Sequence, residues 1–168
     1  LEMKSFTKYL LQKLFGYNNY LFIFSLFSIN RLRNNKYEKE FIYFLDNIPD
    51  GGVVLDIGAN IGITTVPLAA KLKKSVVYSF EPIPHNLKAL ERVVRFFKLK
   101  NVEVLKIALG DQPGNLKMVM PVINNVKMQG LSHVYHEGSN AVSNQGEIFN
   151  VPVKTLDDLD ELNGVKIN

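Results

Sequence analysis

The sequence has no cysteine, which excludes disulfides and any metal site built on thiolates. Histidine is scarce: His85, His133 and His136 are the only three, too little material for a metal cluster, and no metal is expected. A long hydrophobic run is missing too. Tyr20 to Ile29 reads YLFIFSLFSI, ten apolar or small residues, against the roughly 20 that a helix needs to cross a bilayer. The run lacks the charged flank and small-residue cleavage site of a secretory signal. It is read as a buried helix, with a helix lying on a membrane surface as the alternative, since Arg31, Arg33 and Lys36 follow at once. No P-loop lysine and no G-x-G-x-x-G stretch occur. No basic stripe with interleaved aromatics is present either, so nucleic acid is not an expected partner.

What is there suits one domain. The 168 residues are 46% hydrophobic, enough for a core, and the net charge of +4 is read as compositional lysine rather than a polyanion site. Residues 1–48 read as a helical segment in two or three pieces. Phe41, Phe44, Leu45 and Ile48 share one helical face, and Pro49-Asp50-Gly51-Gly52 ends it. Residues 49–168 then alternate. Val53 to Ile57 is a strand apolar on both faces, Thr64 to Leu72 a helix, Val76 to Phe80 a strand. Asn86 to Leu99 is a helix with a stripe of Leu87, Leu90, Val93, Val94 and Phe97, and Val102 to Ile107 is a third strand. Such alternation implies an α/β fold, a mostly parallel sheet with helices on both faces. Beyond the Pro113-Gly114 turn, Leu116 to Met120 is expected to return antiparallel or along an edge. Residues 124–150 read as a long loop or lid, and 151–154 as a short strand. Val165-Lys166-Ile167 opens one more buried strand at the end of the sequence.

The chemistry gathers where the strands end. Asp56-Ile57-Gly58-Ala59-Asn60-Ile61-Gly62 closes the first strand and opens the first helix. Glycine there lets the backbone turn sharply and lets a ligand come against it. Ligands of open α/β sheets bind beyond the carboxyl ends of the strands. Asp56 beside the loop favours a ligand carrying positive charge, such as the sulfonium and amino group of S-adenosylmethionine; the competing reading is an ordinary strand-to-helix turn. Glu81 ends the second strand, 19 residues after Gly62, where a carboxylate can accept both hydroxyls of a ribose. Ala108-Leu109-Gly110-Asp111 follows the third strand, and its small residues leave room for a flat ring. Asp111 is either an acceptor for an adenine amino group or a turn residue ahead of Pro113.

The stretches VVLDIGANIGITTVPLA, YSFEPIPHNLKALERVV, NVEVLKIALGDQPG and VPVKTLDDL resemble, in order and spacing, the FkbM-type methyltransferases, over about residues 50–168. The resemblance implies a Rossmann-like class I methyltransferase fold, a three-layer sandwich, with S-adenosyl-L-methionine as cofactor. It implies O-methylation of a hydroxyl on a sugar, glycolipid or natural product. Asp56, Gly58, Asn60 and Gly62 would then line the methionine and ribose side and Glu81 would hold the ribose, with Ala59, Pro82 and Ala108 completing the cofactor set. His133 and His136 are the candidates for a general base, sharing one helical face if their segment is helical; the competing reading is two solvated loop histidines. His85 reads as a helix-start residue. Family members usually continue through a strand reading like K-I-D-V-E-G, whereas this sequence ends Lys166-Ile167-Asn168. The domain is therefore expected to be partial, a piece of a longer protein; the opening on Leu1 reads as an engineered start or a fragment end. An RNA methyltransferase and a catalytically degenerate Rossmann-like binding module are the alternatives. The expected location is the cytoplasm, with peripheral membrane contact left open, and the expected partner is a small-molecule or glycan acceptor.

Overall fold

Strands apolar on both faces demand cover on both sides, and the first half of the fold follows from that need. In the computed structural model, residues 2–32, 38–136, 145–162 and 164–165 are described. Three helices come first: α1 (Glu2–Phe15), α2 (Tyr17–Leu32) and α3 (Lys39–Asn47). Then β1 (Gly52–Ile57), α4 (Thr65–Lys71), β2 (Ser75–Phe80), α5 (Pro84–Phe96) and β3 (Val102–Leu105) alternate as their patterns require. A more irregular half follows: β4 (Ala108–Leu109), β5 (Gly114–Ile123), β6 (Val126–Lys127), a 3-10 turn (Gln129–Leu131), β7 (His133–Val134), β8 (Gly146–Lys154) and a second 3-10 turn (Asp160–Leu162).

β1, β2 and β3 form a parallel sheet in that order, with Ile57 opposite Phe80 and Phe80 opposite Leu105, so the carboxyl ends of all three strands align. Both crossovers step the same way along the sheet, so right-handed connections put α4 and α5 on the same face. There Val54 and Val77 pack against Leu68 and Ala69 of α4 and Leu72 just after it, and Val93 of α5 meets Val66. The other face, Val53 and Phe80, is covered by Leu159 and Leu162 of the second 3-10 turn and its approach rather than by a regular helix. Among the described residues, helices therefore cover one face only. The strand expected at Val165-Lys166-Ile167 falls largely outside the described residues; Val165 itself is in no element.

The second sheet runs β4-β8-β5-β6, with β7 on β5. β5 does return antiparallel, and its partner is β8, from Gly114 opposite Val153 to Pro121 opposite Gly146. β8 is nine residues long and begins at Gly146, five residues before the strand read from the sequence. Within the segment expected to be loop, β6, a 3-10 turn and β7 are ordered against β5; residues 137–144 lie outside the described ones. His133 is in a strand and His136 just beyond it, so they do not share a helical face.

The N-terminal helices form an outer layer. Tyr20 and Leu21 of α2 bury against Ile61 and Ala89, and Ile29 against Val66 and Val93. Arg92 of α5 stacks over the Phe22 ring at 4.2 Å from its centroid. α3 ends at Asn47 because Ile48, the residue before Pro49, is pushed into an extended conformation (φ −69°, ψ 133°). Leu45 then joins the cluster under α4.

Candidate functional site

The turn from β1 into α4 uses left-handed backbone three times, at Gly58 (φ 76°), Asn60 (φ 51°) and Gly62 (φ 85°). Asparagine tolerates that region better than other non-glycine residues. The turn is tied to the end of β2: the Gly58 and Ala59 amides both donate to the Phe80 carbonyl at 3.0 Å. Gly62 is required on a second ground. A Cβ there would sit 2.7 Å from Val93 Cγ2 and 3.1 Å from Leu90 Cδ1, so the missing side chain lets α5 close against the loop.

Asp56 is buried and turned toward the start of α4. Its Oδ1 accepts from Thr64 Oγ1 at 2.9 Å and its Oδ2 from Thr65 Oγ1 at 2.5 Å. Burial raises its pKa above the ordinary carboxyl value, and the two hydroxyl bonds pull the other way. Thr65 is itself backed by Ser79 Oγ at 3.4 Å, so β1, α4 and β2 meet at this carboxylate.

Glu81 is only 4% exposed, and it organises the other side of the loop. Its Oε2 accepts the Asn60 amide at 2.9 Å; its Oε1 accepts the Ile83 amide at 2.8 Å and, more weakly, Asn86 Nδ2 at 3.4 Å. A carboxylate offers about four acceptor positions. Three are taken, so one lone pair on Oε2 is open and the long Asn86 bond is the one that yields most readily. Burial again raises the pKa, offset by those three bonds and reinforced by the charge of Asp56. Among the described residues, two buried amide oxygens, Asn60 Oδ1 and Asn86 Oδ1, have no hydrogen-bond partner. An unmet buried acceptor costs about 1–3 kcal/mol.

These groups open onto a cleft of about 270 Å³ at the carboxyl ends of the parallel strands. Its floor is Gly58, Asn60, Glu81, Pro82 and Asn86. One wall is Ile107, Ala108 and Leu109, where β3 passes into β4. The other comes from the second sheet and its turn: Met118, Gln129, Gly130 and Ser132. Of the residues the sequence pointed to, Gly58, Asn60, Glu81, Pro82 and Ala108 line this cleft. Asp56, Ala59 and Gly62 stand behind it, Asp56 holding α4, Ala59 buried at 2% exposure, and Gly62 facing α5. Asp111 is exposed in the bend ahead of Pro113 and does not line the cleft. Neither do His133, whose Nδ1 lies 2.8 Å from the Leu131 carbonyl, and His136. Among the described residues that line the cleft, Glu81 is the only titratable side chain.

Sequence reasoning passed over Asn86, Met118, Gln129 and Ser132. Asn86 carried a usable mark: a polar residue on the inward stripe of an amphipathic helix, one position before Leu87. The other three come from segments whose pairing is long-range. His85, the second residue of α5, points away from the cleft, with its Nδ1 3.0 Å from Asn18 Oδ1 and its Nε2 3.2 Å from Glu147 Oε2. Glu147 also pairs with Lys127, so the histidine ties α2 to the second sheet. Burial lowers the pKa of His85, partly offset by Glu147. Among the described residues, no cluster of three or more histidine, aspartate or glutamate side chains could hold a metal.

The profile of the family described as "Methyltransferase FkbM domain" matches residues 56–168. "Methyltransferase 1" of Beauveria bassiana (strain ARSEF 2860) is 28% identical over 111 residues, covering 61% of this chain and 43% of that protein. The chain thus spans less than half the length of this curated relative. Among solved structures, a SAM dependent methyltransferase from Aquifex aeolicus overlaps with a TM-score of 0.37 and 30% identity, over 46% of this chain and 40% of that one. An rRNA methylase from Streptococcus thermophilus overlaps with a TM-score of 0.39 and 19% identity, over 44% and 43%. Both overlaps take in less than half of either chain, and neither identifies an activity.

Proposed function

The chain belongs to the FkbM methyltransferase family, and on that premise we propose that its cleft binds S-adenosylmethionine for transfer of the methyl group to a hydroxyl of a sugar, glycolipid or natural product. The observation that carries the reading is Glu81. A buried carboxylate at the end of β2 lines the cleft together with Asn60 and Asn86, whose side-chain oxygens are buried without a hydrogen-bond partner among the described residues. That donor-hungry floor fits a ligand with two ribose hydroxyls and an amino group. Bound there, the cofactor supplies a methyl group already activated on a sulfonium.

The chain's own residues then have separable tasks. Glu81 accepts from the ribose hydroxyls, with Asn86 giving way. Asn60 and Asn86 offer their amide oxygens to the remaining donors. Gly58 leaves the backbone bare on the cleft floor, and a Cβ there would meet no protein atom within 4 Å, so the space is left for a ligand. Ile107, Ala108 and Leu109 present an apolar wall for a flat ring. Methyl transfer of this kind depends chiefly on proximity and alignment, and the rigid tie between Phe80, Glu81 and the loop supplies a fixed platform. The cleft lining described contains no base for a hydroxyl acceptor beyond Glu81, which is committed to the loop.

Two measurements test the reading. Incubating the protein with methyl-labelled S-adenosylmethionine and panels of glycans, glycolipids and polyhydroxylated small molecules is expected to give an O-methyl product, identified by NMR. Label appearing in RNA instead would replace the acceptor class, and binding without transfer to any acceptor would leave a cofactor-binding module. The second uses pH. Because burial raises the Glu81 pKa, the folded chain holds that proton to a higher pH than the unfolded chain; its contribution to stability is full at acid pH and lost as pH rises through the raised value. Binding needs the charged form. Affinity measured by calorimetry is therefore expected to fall as pH drops through that raised value, and Glu81→Gln to flatten the dependence; an unchanged slope in Glu81→Gln would remove Glu81 from the site.

A further inference from the structure

The outer layer of helices turns an apolar face away from the body of the protein. α1 is fixed in rotation by Gln12, whose side chain donates to the Lys127 carbonyl and accepts from the Lys127 amide, both at 3.1 Å. Residues four apart lie above one another on a helix. With Gln12 pointing at β6, Phe6, Leu10 and Leu14 face outward, at 65%, 43% and 68% exposure. On α2, Tyr20, Leu21, Ser25, Ile29 and Leu32 are buried, which leaves Ile23 and Phe27 outward at 51% and 59%, with Arg31 next along the same stripe. Between the helices runs a groove of about 320 Å³ whose apolar lining includes Leu11, Phe15, Ile23 and Phe27, with Lys8 beside it.

The charge of this segment has one sign. From Met3 to Tyr37 the sequence holds six basic side chains, Lys4, Lys8, Lys13, Arg31, Arg33 and Lys36, and no acidic one. Exposed phenylalanine, leucine and isoleucine interleaved with lysine and arginine on a helix surface is the composition of an element that lies in a membrane interface. Among the described residues no helix is long and apolar enough to cross a bilayer. A second copy would bring the same positive charge to the patch, which favours an anionic surface over self-association.

We infer that the α1–α2 hairpin docks the protein on an anionic bilayer surface, with Phe6, Leu10, Leu14, Ile23 and Phe27 entering the headgroup boundary and the exposed Lys13 and Arg31 meeting anionic lipid. This surface is separate from the cleft, and the inference does not depend on the methyltransferase reading.

The sequence contains no tryptophan, so a single introduced one reports its own surroundings. Phe27→Trp in the full chain is expected to shift its emission to the blue with vesicles of phosphatidylcholine and phosphatidylglycerol, and to stay unshifted with phosphatidylcholine alone. Tyr43→Trp, on α3 outside the patch and 73% exposed, is the control and is expected to stay unshifted with both. In co-sedimentation, Ile23→Asp combined with Phe27→Asp is expected to lower vesicle binding at least about tenfold, and added salt to lower it as well. Absence of binding to anionic vesicles overturns the proposal. So does binding that the paired aspartates leave unchanged, or a dimer in sedimentation equilibrium that those substitutions dissolve.

Discussion

Glu81→Ala is expected to abolish measurable S-adenosylmethionine binding, or to weaken it by at least about tenfold, which is about 1.4 kcal/mol, while also lowering the stability of the ligand-free protein. Two losses combine. Hydrogen bonds from a carboxylate to ligand hydroxyls are worth roughly 1.5–3 kcal/mol each. The alanine also removes the acceptor of the Asn60 and Ile83 amides, and so the tie between the β1 loop and the end of β2. A buried amide left unmet costs about 1–3 kcal/mol, so a stability loss of roughly 2–4 kcal/mol is expected from thermal unfolding. Calorimetric titration separates the two effects. An alanine variant that unfolds at lower temperature yet binds the cofactor as wild type does would make Glu81 a structural residue only.

Gly62→Ala carries the second large effect, on stability. A left-handed φ of 85° costs a residue with a Cβ about 1–2 kcal/mol. The added methyl would also stand 2.7 Å from Val93 Cγ2, and overpacking of this kind adds about 1–3 kcal/mol. The sum, roughly 2–5 kcal/mol, is expected as a lowered denaturation midpoint with unchanged slope. Val93→Ala removes the opposing methyl groups, so the double variant is expected to lose less than the two single losses added together. Simple additivity would mean that backbone strain alone makes glycine necessary there.

The half of the fold that carries the cleft was legible because its signals are local. Val53 to Ile57 and Val76 to Phe80 are short, mostly apolar runs, Leu87, Leu90 and Val93 keep helical period, and Asp56 and Glu81 mark where strands end. β8 was legible only in its second half because its first half inverts the usual pattern. Glu147 turns inward to meet His85 and Lys127, while Ile148 faces solvent at 52% exposure. A period-two reading by hydrophobicity fails when the inward residue is charged. Its partner β5 begins 32 residues before β8, and no local rule announces pairing across that distance. The segment of His133 misled for a related reason: an i, i+3 spacing has meaning on a helix and none on β7.

The floor of the cleft shows the same division. Gly58, Asn60 and Glu81 were found from their places in the first two strands and turns. That Asp56 spends both oxygens on Thr64 and Thr65 required the third dimension, since those threonines are eight and nine residues away and could equally have faced solvent. The N-terminal helices were readable as helices. Their dependence on α5 and the β1 loop, through Tyr20 and Leu21 against Ile61 and Ala89, was not.

The central claim is that the cleft over β1 and β2 is a cofactor site organised by Glu81. A crystal structure of the protein with S-adenosylhomocysteine tests it most directly. The account predicts ribose hydroxyls within hydrogen-bond distance of Glu81, Asn86 displaced from Oε1, and donors on the amide oxygens of Asn60 and Asn86. The nucleoside seated elsewhere, or the cleft empty at saturating ligand with Asn60 and Asn86 still unpartnered, would contradict it.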